Sequence, residues 1–108
     1  MLVVNPDVGK TLGIIVNSNR YFGFVEKLAD AALGQEKQVR IHLLGSGCEF
    51  IKTDACMRLC RLARVTLCTL TAQQNAVKPF DRHQPGVVVV PPQELSLILQ
   101  DCYRYVVF

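Results

Sequence analysis

What most constrains this chain is its punctuation. Short apolar runs rich in β-branched residues, Thr11 to Asn17, Gln38 to Leu44 and Val65 to Leu70, each give way to polar or glycine residues and then to a stretch with helical spacing. Two further runs, Val87 to Val90 and Tyr103 to Phe108, follow a proline-containing loop and a helical segment. Strands that alternate with helices are joined by crossovers and pair in parallel, and nearly continuous apolar strands belong to a sheet covered on both faces. The chain is therefore expected to form an α/β fold: a three-layer α/β/α sandwich around a mostly parallel five-stranded sheet with right-handed crossovers.

The intervening segments support this. Between Arg20 and Leu33, Phe24, Val25, Leu28, Ala31 and Ala32 recur at helical spacing, Ser18 or Asn19 can cap, and Gly34 ends the pattern. A second helix is clearest over Asp54 to Arg64, with Thr53 or Asp54 as cap, and a third over Glu94 to Leu99, entered from Pro91-Pro92. Thr71 to Val77 suits a short helical turn and Lys78 to Gly86 a loop. Met1 to Lys10, with Asn5-Pro6-Asp7, reads as a loosely held lead-in to a single domain over residues 1–108.

Composition narrows the partners. Hydrophobic residues make up 50% of the chain and charged residues 19%, enough apolar material for one well-filled core. Twelve Lys and Arg against nine Asp and Glu are scattered along the chain, with no basic stripe for nucleic acid. Leu12 to Val16 and Val87 to Val90 fall far short of the roughly 20 residues of a membrane helix, and the start lacks a signal peptide's basic and apolar regions. A cytoplasmic location is expected. Five cysteines, an odd number set mostly inside regular elements, suit reduced thiols better than a disulfide scaffold.

Ligands of open α/β sheets gather at the carboxyl ends of the strands. Here these ends are Asn17-Ser18-Asn19, Gly45-Ser46-Gly47-Cys48 and Cys68 to Thr71. Cys68 stands at a strand end just before a helix start, where unpaired backbone N–H groups favour thiolate over thiol. A cysteine inside a strand is also an ordinary packing residue. Cys48, in a glycine-flanked loop, is the second candidate thiol, and Cys102 is read as packing. Cys56 and Cys60 share a helix face at ligand-like spacing, but neither a CxxC pair nor His42 or His83 completes a tetrahedral set, so no metal is expected. Gly9-Lys10-Thr11 is no phosphate loop, since Val4 stands where its first glycine belongs, and Gly45-Ser46-Gly47 has no acidic ribose partner after it. No cofactor is expected. His42 is read as a core histidine, and His83 with Lys78 and Arg82 as a solvated basic loop.

Arg64-Val65-Thr66-Leu67-Cys68-Thr69-Leu70-Thr71-Ala72, then Gly86-Val87-Val88-Val89-Val90-Pro91-Pro92-Gln93-Glu94-Leu95 and the closing Tyr105-Val106-Val107-Phe108, resemble the DsrE family of small sulfur-relay proteins over nearly the whole chain. The resemblance implies that Cys68 accepts sulfane sulfur as a persulfide and passes it to a partner thiol, with Asn17, Ser18, Gly45, Cys48, Thr69 and Thr71 as site neighbours. It also implies a sheet order of 4-3-2-1-5, sulfur donor and acceptor proteins as partners, and assembly as a homotrimer or hexamer or with sister chains. Here Thr69 follows the cysteine and Ala72 to Ala76 carry no basic residue, so a sulfur anion would rest on backbone N–H groups or on Lys78, Arg82 or His83 folding back. The alternative is a non-catalytic assembly or regulatory module of the same fold that binds a small anion or a partner protein. A nucleotide-binding flavodoxin-like domain, a third reading, calls for a phosphate-sized nest after Asn17.

Overall fold

The computed structural model describes residues 10–70 and 86–108. Five strands, β1 (Thr11–Val16), β2 (Gln38–Leu43), β3 (Arg64–Cys68), β4 (Val87–Val90) and β5 (Arg104–Val107), form one sheet in the order β4-β3-β2-β1-β5. Every neighbouring pair is parallel, so the expected mostly parallel sheet is wholly so. The register sets Ile14 beside Ile41, Ile41 beside Val65 and Val65 beside Val87. Because side chains alternate along a strand, this alignment stacks the same face across four strands.

That face holds the main core. Ile14, Val16, Val39, Ile41, Leu43, Val65 and Leu67 pack with Val25, Ala29 and Ala32 of helix α1 (Phe22–Gly34) and with Cys56 and Leu59 of helix α2 (Asp54–Leu59). Phe50 seals the upper part of this layer, fully buried and edge-on to Phe22 at 5.0 Å between ring centroids. Burial of each large aliphatic or aromatic side chain contributes about 1.5–3 kcal/mol, so this layer carries most of the stability. Arg58 ties α2 to α1 on the surface through Asp30 and Glu26, an exposed pairing worth at most about 1 kcal/mol.

The connection from β4 to β5 runs the opposite way across the sheet, and its helix α3 (Glu94–Asp101) covers the other face. Two contacts locate it. Arg40, which alternates with the core residues Val39 and Ile41, binds Asp101 at 2.8 Å, and a Cβ built on Gly13 would lie 2.8 Å from the Cys102 sulfur. Gly13 is thus the place where the chain after α3 crosses close over β1.

Four local features depart from the sequence-based expectation. Helix α1 begins at Phe22 with no side-chain cap, because Ser18 accepts from Arg20 N in its own short turn and Asn19 donates to Glu49. Gly45–Lys52, read as a loop, is a 3-10 helix. Its glycines serve close packing: Gly45 has φ 57°, and a Cβ on Gly47 would collide with the Val16 carbonyl. Helix α2 ends at Leu59 and β3 at Cys68, with helical backbone from Thr69, so Leu70 is not a strand residue. The expected lead-in over residues 1–9, the Thr71 to Val77 turn and the greater part of the Lys78 to Gly86 loop lie outside the described residues.

Candidate functional site

The carboxyl edge of the sheet collects the ends of β1, β2 and β3. Asn17 N donates to Phe108 O at 2.7 Å and Leu44 N to Val16 O at 3.0 Å, which holds the three chain ends after β1, β2 and β5 together. Gly45 lies directly against Asn17, whose side-chain and backbone oxygens are the nearest atoms to a Cβ built there. These two expected neighbours therefore meet. Ser18 turns back to Arg20 N, and Thr69 donates its hydroxyl to Val90 O at 3.2 Å, so that hydroxyl proton is directed to β4. Thr71 lies outside the described residues, as do Lys78, Arg82 and His83.

Cys68 is the last residue of β3, opposite Val90 of β4, and the backbone turns helical immediately after it. Val65 and Leu67 point into the main core, so Cys68 belongs with Thr66 on the α3 face. The site expected from the sequence needs a reachable sulfur, yet Cys68 is only 4% exposed. The reason is its position: it is still a strand residue, flanked in the sheet by β4, and a helix start would expose a side chain only one or two positions further on.

The five cysteines are thiols, and they divide between the two faces. Cys48 is fully buried within the main core, which corrects its reading as a loop thiol next to the site: the 3-10 helix turns it inward beside Phe50 and Ile51. Cys56 belongs to the same core layer, on the opposite side of the sheet from Cys68. Cys102, as read, is a packing residue, buried over Gly13, and burial raises its thiol pKa.

A polar pair sits on the sheet face opposite the main core. His42 Nδ1 and Thr66 Oγ1 are 2.7 Å apart, and both residues are at most 2% exposed. Burial, with the Arg40 charge nearby, lowers the His42 pKa from 6.5 to about 4, so the ring is neutral at physiological pH. Arg40 itself pairs with Asp101 through Nη1, while its Nε is buried without a hydrogen-bond partner among the described residues. His42 is the core histidine the sequence suggests; its partner Thr66 could have been found by setting β2 beside β3 and matching same-face polar residues.

Among the described residues, no helix is long and apolar enough to cross a membrane. On the outer surface, Arg20, Tyr21, Gly23, Phe24 and Lys27 line a shallow hollow of about 250 Å³ at the start of α1. Both edge strands expose apolar side chains: Val88 and Val89 on β4, and Tyr105, Val106 and Val107 on β5, with Tyr103 and Leu97 also exposed. No family model and no curated protein matches the chain.

Proposed function

We propose that the chain is a small cytoplasmic sulfur carrier of the DsrE kind, in which Cys68 accepts sulfane sulfur and hands it on. One observation carries this reading: the thiol ends β3 at the carboxyl edge of a β4-β3-β2-β1-β5 sheet and is followed at once by helical backbone. In the loading step the Cys68 thiolate attacks the outer sulfur of a donor persulfide. A new S–S bond forms, the donor's S–S bond breaks, and the donor leaves as a thiolate. Discharge repeats the exchange with a recipient thiol as attacker. Cys68 is 4% exposed, so on this reading loading requires the atoms over its sulfur to move aside. Incubation with a low-molecular-weight persulfide, followed by peptide mass spectrometry, adds one sulfur atom at Cys68; an unmodified Cys68 overturns the reading.

The low exposure of Cys68, together with the apolar edge strands, also favours the second reading, an assembly or regulatory module. On that reading β4 or β5 docks against a sister chain or a further copy, giving the trimer or hexamer that the resemblance implies. Native mass spectrometry then shows a defined oligomer, while a small alkylating reagent leaves Cys68 untouched in the folded protein. A monomer with a rapidly alkylated Cys68 removes this alternative.

A further inference from the structure

The edge strand β5 is bare where a strand of a parallel sheet is ordinarily covered. Such sheets are buried on both faces, yet Arg104, Tyr105, Val106 and Val107 are all exposed, Tyr105 by 54% and Val107 by 59%. Tyr105 stands in register with Gly13 and Val106 with Ile14, so Tyr105 and Val107 lie on the α3 face and Val106 on the main-core face. Natural edges are guarded by proline, by a bulge or by charges along the strand. Tyr105 to Val107 carry no proline and no charge, and their register with β1 is unbroken. The charge of Arg104 stands at the start of the strand, 5.2 Å from the Tyr103 ring centroid.

The backbone supplies a second observation. Phe108 donates its N–H to Ile15 O at 2.8 Å and accepts from Asn17 N at 2.7 Å, so both of its groups face β1. Backbone groups alternate sides along a strand, which turns those of Arg104 and Val106 to β1 as well and leaves the N–H and C=O of Tyr105 and Val107 pointing away from the sheet. Among the described residues no strand lies on that side of β5. An antiparallel neighbour bonds through opposed residues that exchange both groups. Two copies of β5 related by a two-fold axis at Val106 set Tyr105 of each opposite Val107 of the other, so every one of these outward groups is paired. An axis at Tyr105 would instead set Val107 against Tyr103, whose N–H is already given to Thr11 O.

We propose that β5 is the contact edge of a symmetric dimer, in which a second copy of this chain adds its β5 antiparallel to the first and Val106 faces Val106 across the axis. The proposal rests on the assembly reading above and names its partner and its edge. A second copy fits because the outward groups are placed symmetrically about one residue. The opposed pairs are aromatic against β-branched, a favourable combination, and each Arg104 falls opposite Phe108 and not opposite its own copy. Fully bared aromatic side chains offer about 150–250 Å² each, so the exposed parts of Tyr103, Tyr105, Val106 and Val107 come to roughly 400 Å² per copy. With the strand backbone included, the total of roughly 800–1,000 Å² belongs to the small, reversible interfaces. A two-fold contact closes with two copies, so it gives a dimer and not a fibre.

Sedimentation velocity of the reduced full chain over a concentration series should show a reversible shift from the monomer mass to twice that mass. Val106→Lys, at an exposed position, brings like charges face to face and should hold the chain at monomer mass throughout, with an unchanged circular dichroism spectrum. Mild oxidation of cysteine variants, with peptide mapping to place the bridge, reads the register. Opposed residues that do not exchange hydrogen bonds have Cα atoms about 4.5 Å apart, within the disulfide range of about 4.4–6.8 Å, so Val106→Cys should cross-link to its own copy. Val107→Cys meets its copy only on the diagonal, at about 7–8 Å, and should not cross-link. Cys68→Ser should dimerise as the native chain does, which separates this contact from the carrier reading. A monomer at all concentrations overturns the proposal, as does cross-linking through Val107→Cys as readily as through Val106→Cys. A defined oligomer that survives Val106→Lys overturns the β5 contact while the assembly reading stands.

Discussion

The buried His42–Thr66 pair makes stability depend on pH in a defined window. Folding lowers the His42 pKa from 6.5 to about 4, so between those values the unfolded chain binds a proton that the folded chain refuses. Stability contributed by the neutral ring is therefore complete above pH 6.5, falls as the pH drops through the window, and is fully lost below about 4. Each pH unit inside the window is worth up to about 1.4 kcal/mol, which integrates to about 2 kcal/mol between pH 7 and pH 5. Asp30 acts elsewhere: its pKa is lowered by the Arg58 hydrogen bond, so its contribution is present above the ordinary value of 3.8 and lost only as the pH falls further. Urea unfolding at pH 7 and pH 5 should show the loss in the native chain and most of it abolished in His42→Leu. An equal pH dependence in both proteins, or a flat native profile, would refute the burial argument.

Gly47→Ala should cost about 3 kcal/mol or more, because the new Cβ meets the Val16 backbone carbonyl, which has no rotamer to yield; chemical denaturation measures it. The matched control is Gly23→Ala in α1, where nothing lies within 4 Å and helix propensity should add about 0.5–1 kcal/mol. Thr53→Ala removes the cap on Cys56 N and should cost about 1 kcal/mol, a Tm drop of about 4–8 °C by calorimetry.

Much of the fold is legible because its cause is local. The Val87 to Val90 run is bounded by Gly86 and Pro91 and forms a strand over those same residues, and Thr53 caps α2 as its position before Asp54 suggests. The order of elements follows from the same periodicities. What was not legible depends on contacts between distant parts of the chain. Gly45 and Gly47 look like loop punctuation, yet they allow a 3-10 helix to press onto the end of β1. Asn19 looks like a helix cap until Glu49, thirty residues on, takes its amide. The candidate site divides the same way. Period-two alternation correctly groups Cys68 with Thr66, but the cover over that face comes from tertiary packing, so burial of the thiol leaves no mark in the local pattern.

Persulfide discharge from Cys68 is the most direct measurement. Protein loaded with sulfane sulfur, freed of donor and mixed with an excess of a recipient thiol, should lose one sulfur atom from the Cys68 peptide while the recipient gains it, and Cys68→Ser should deliver none. Sulfur that loads and transfers equally well in Cys68→Ser would contradict the carrier function.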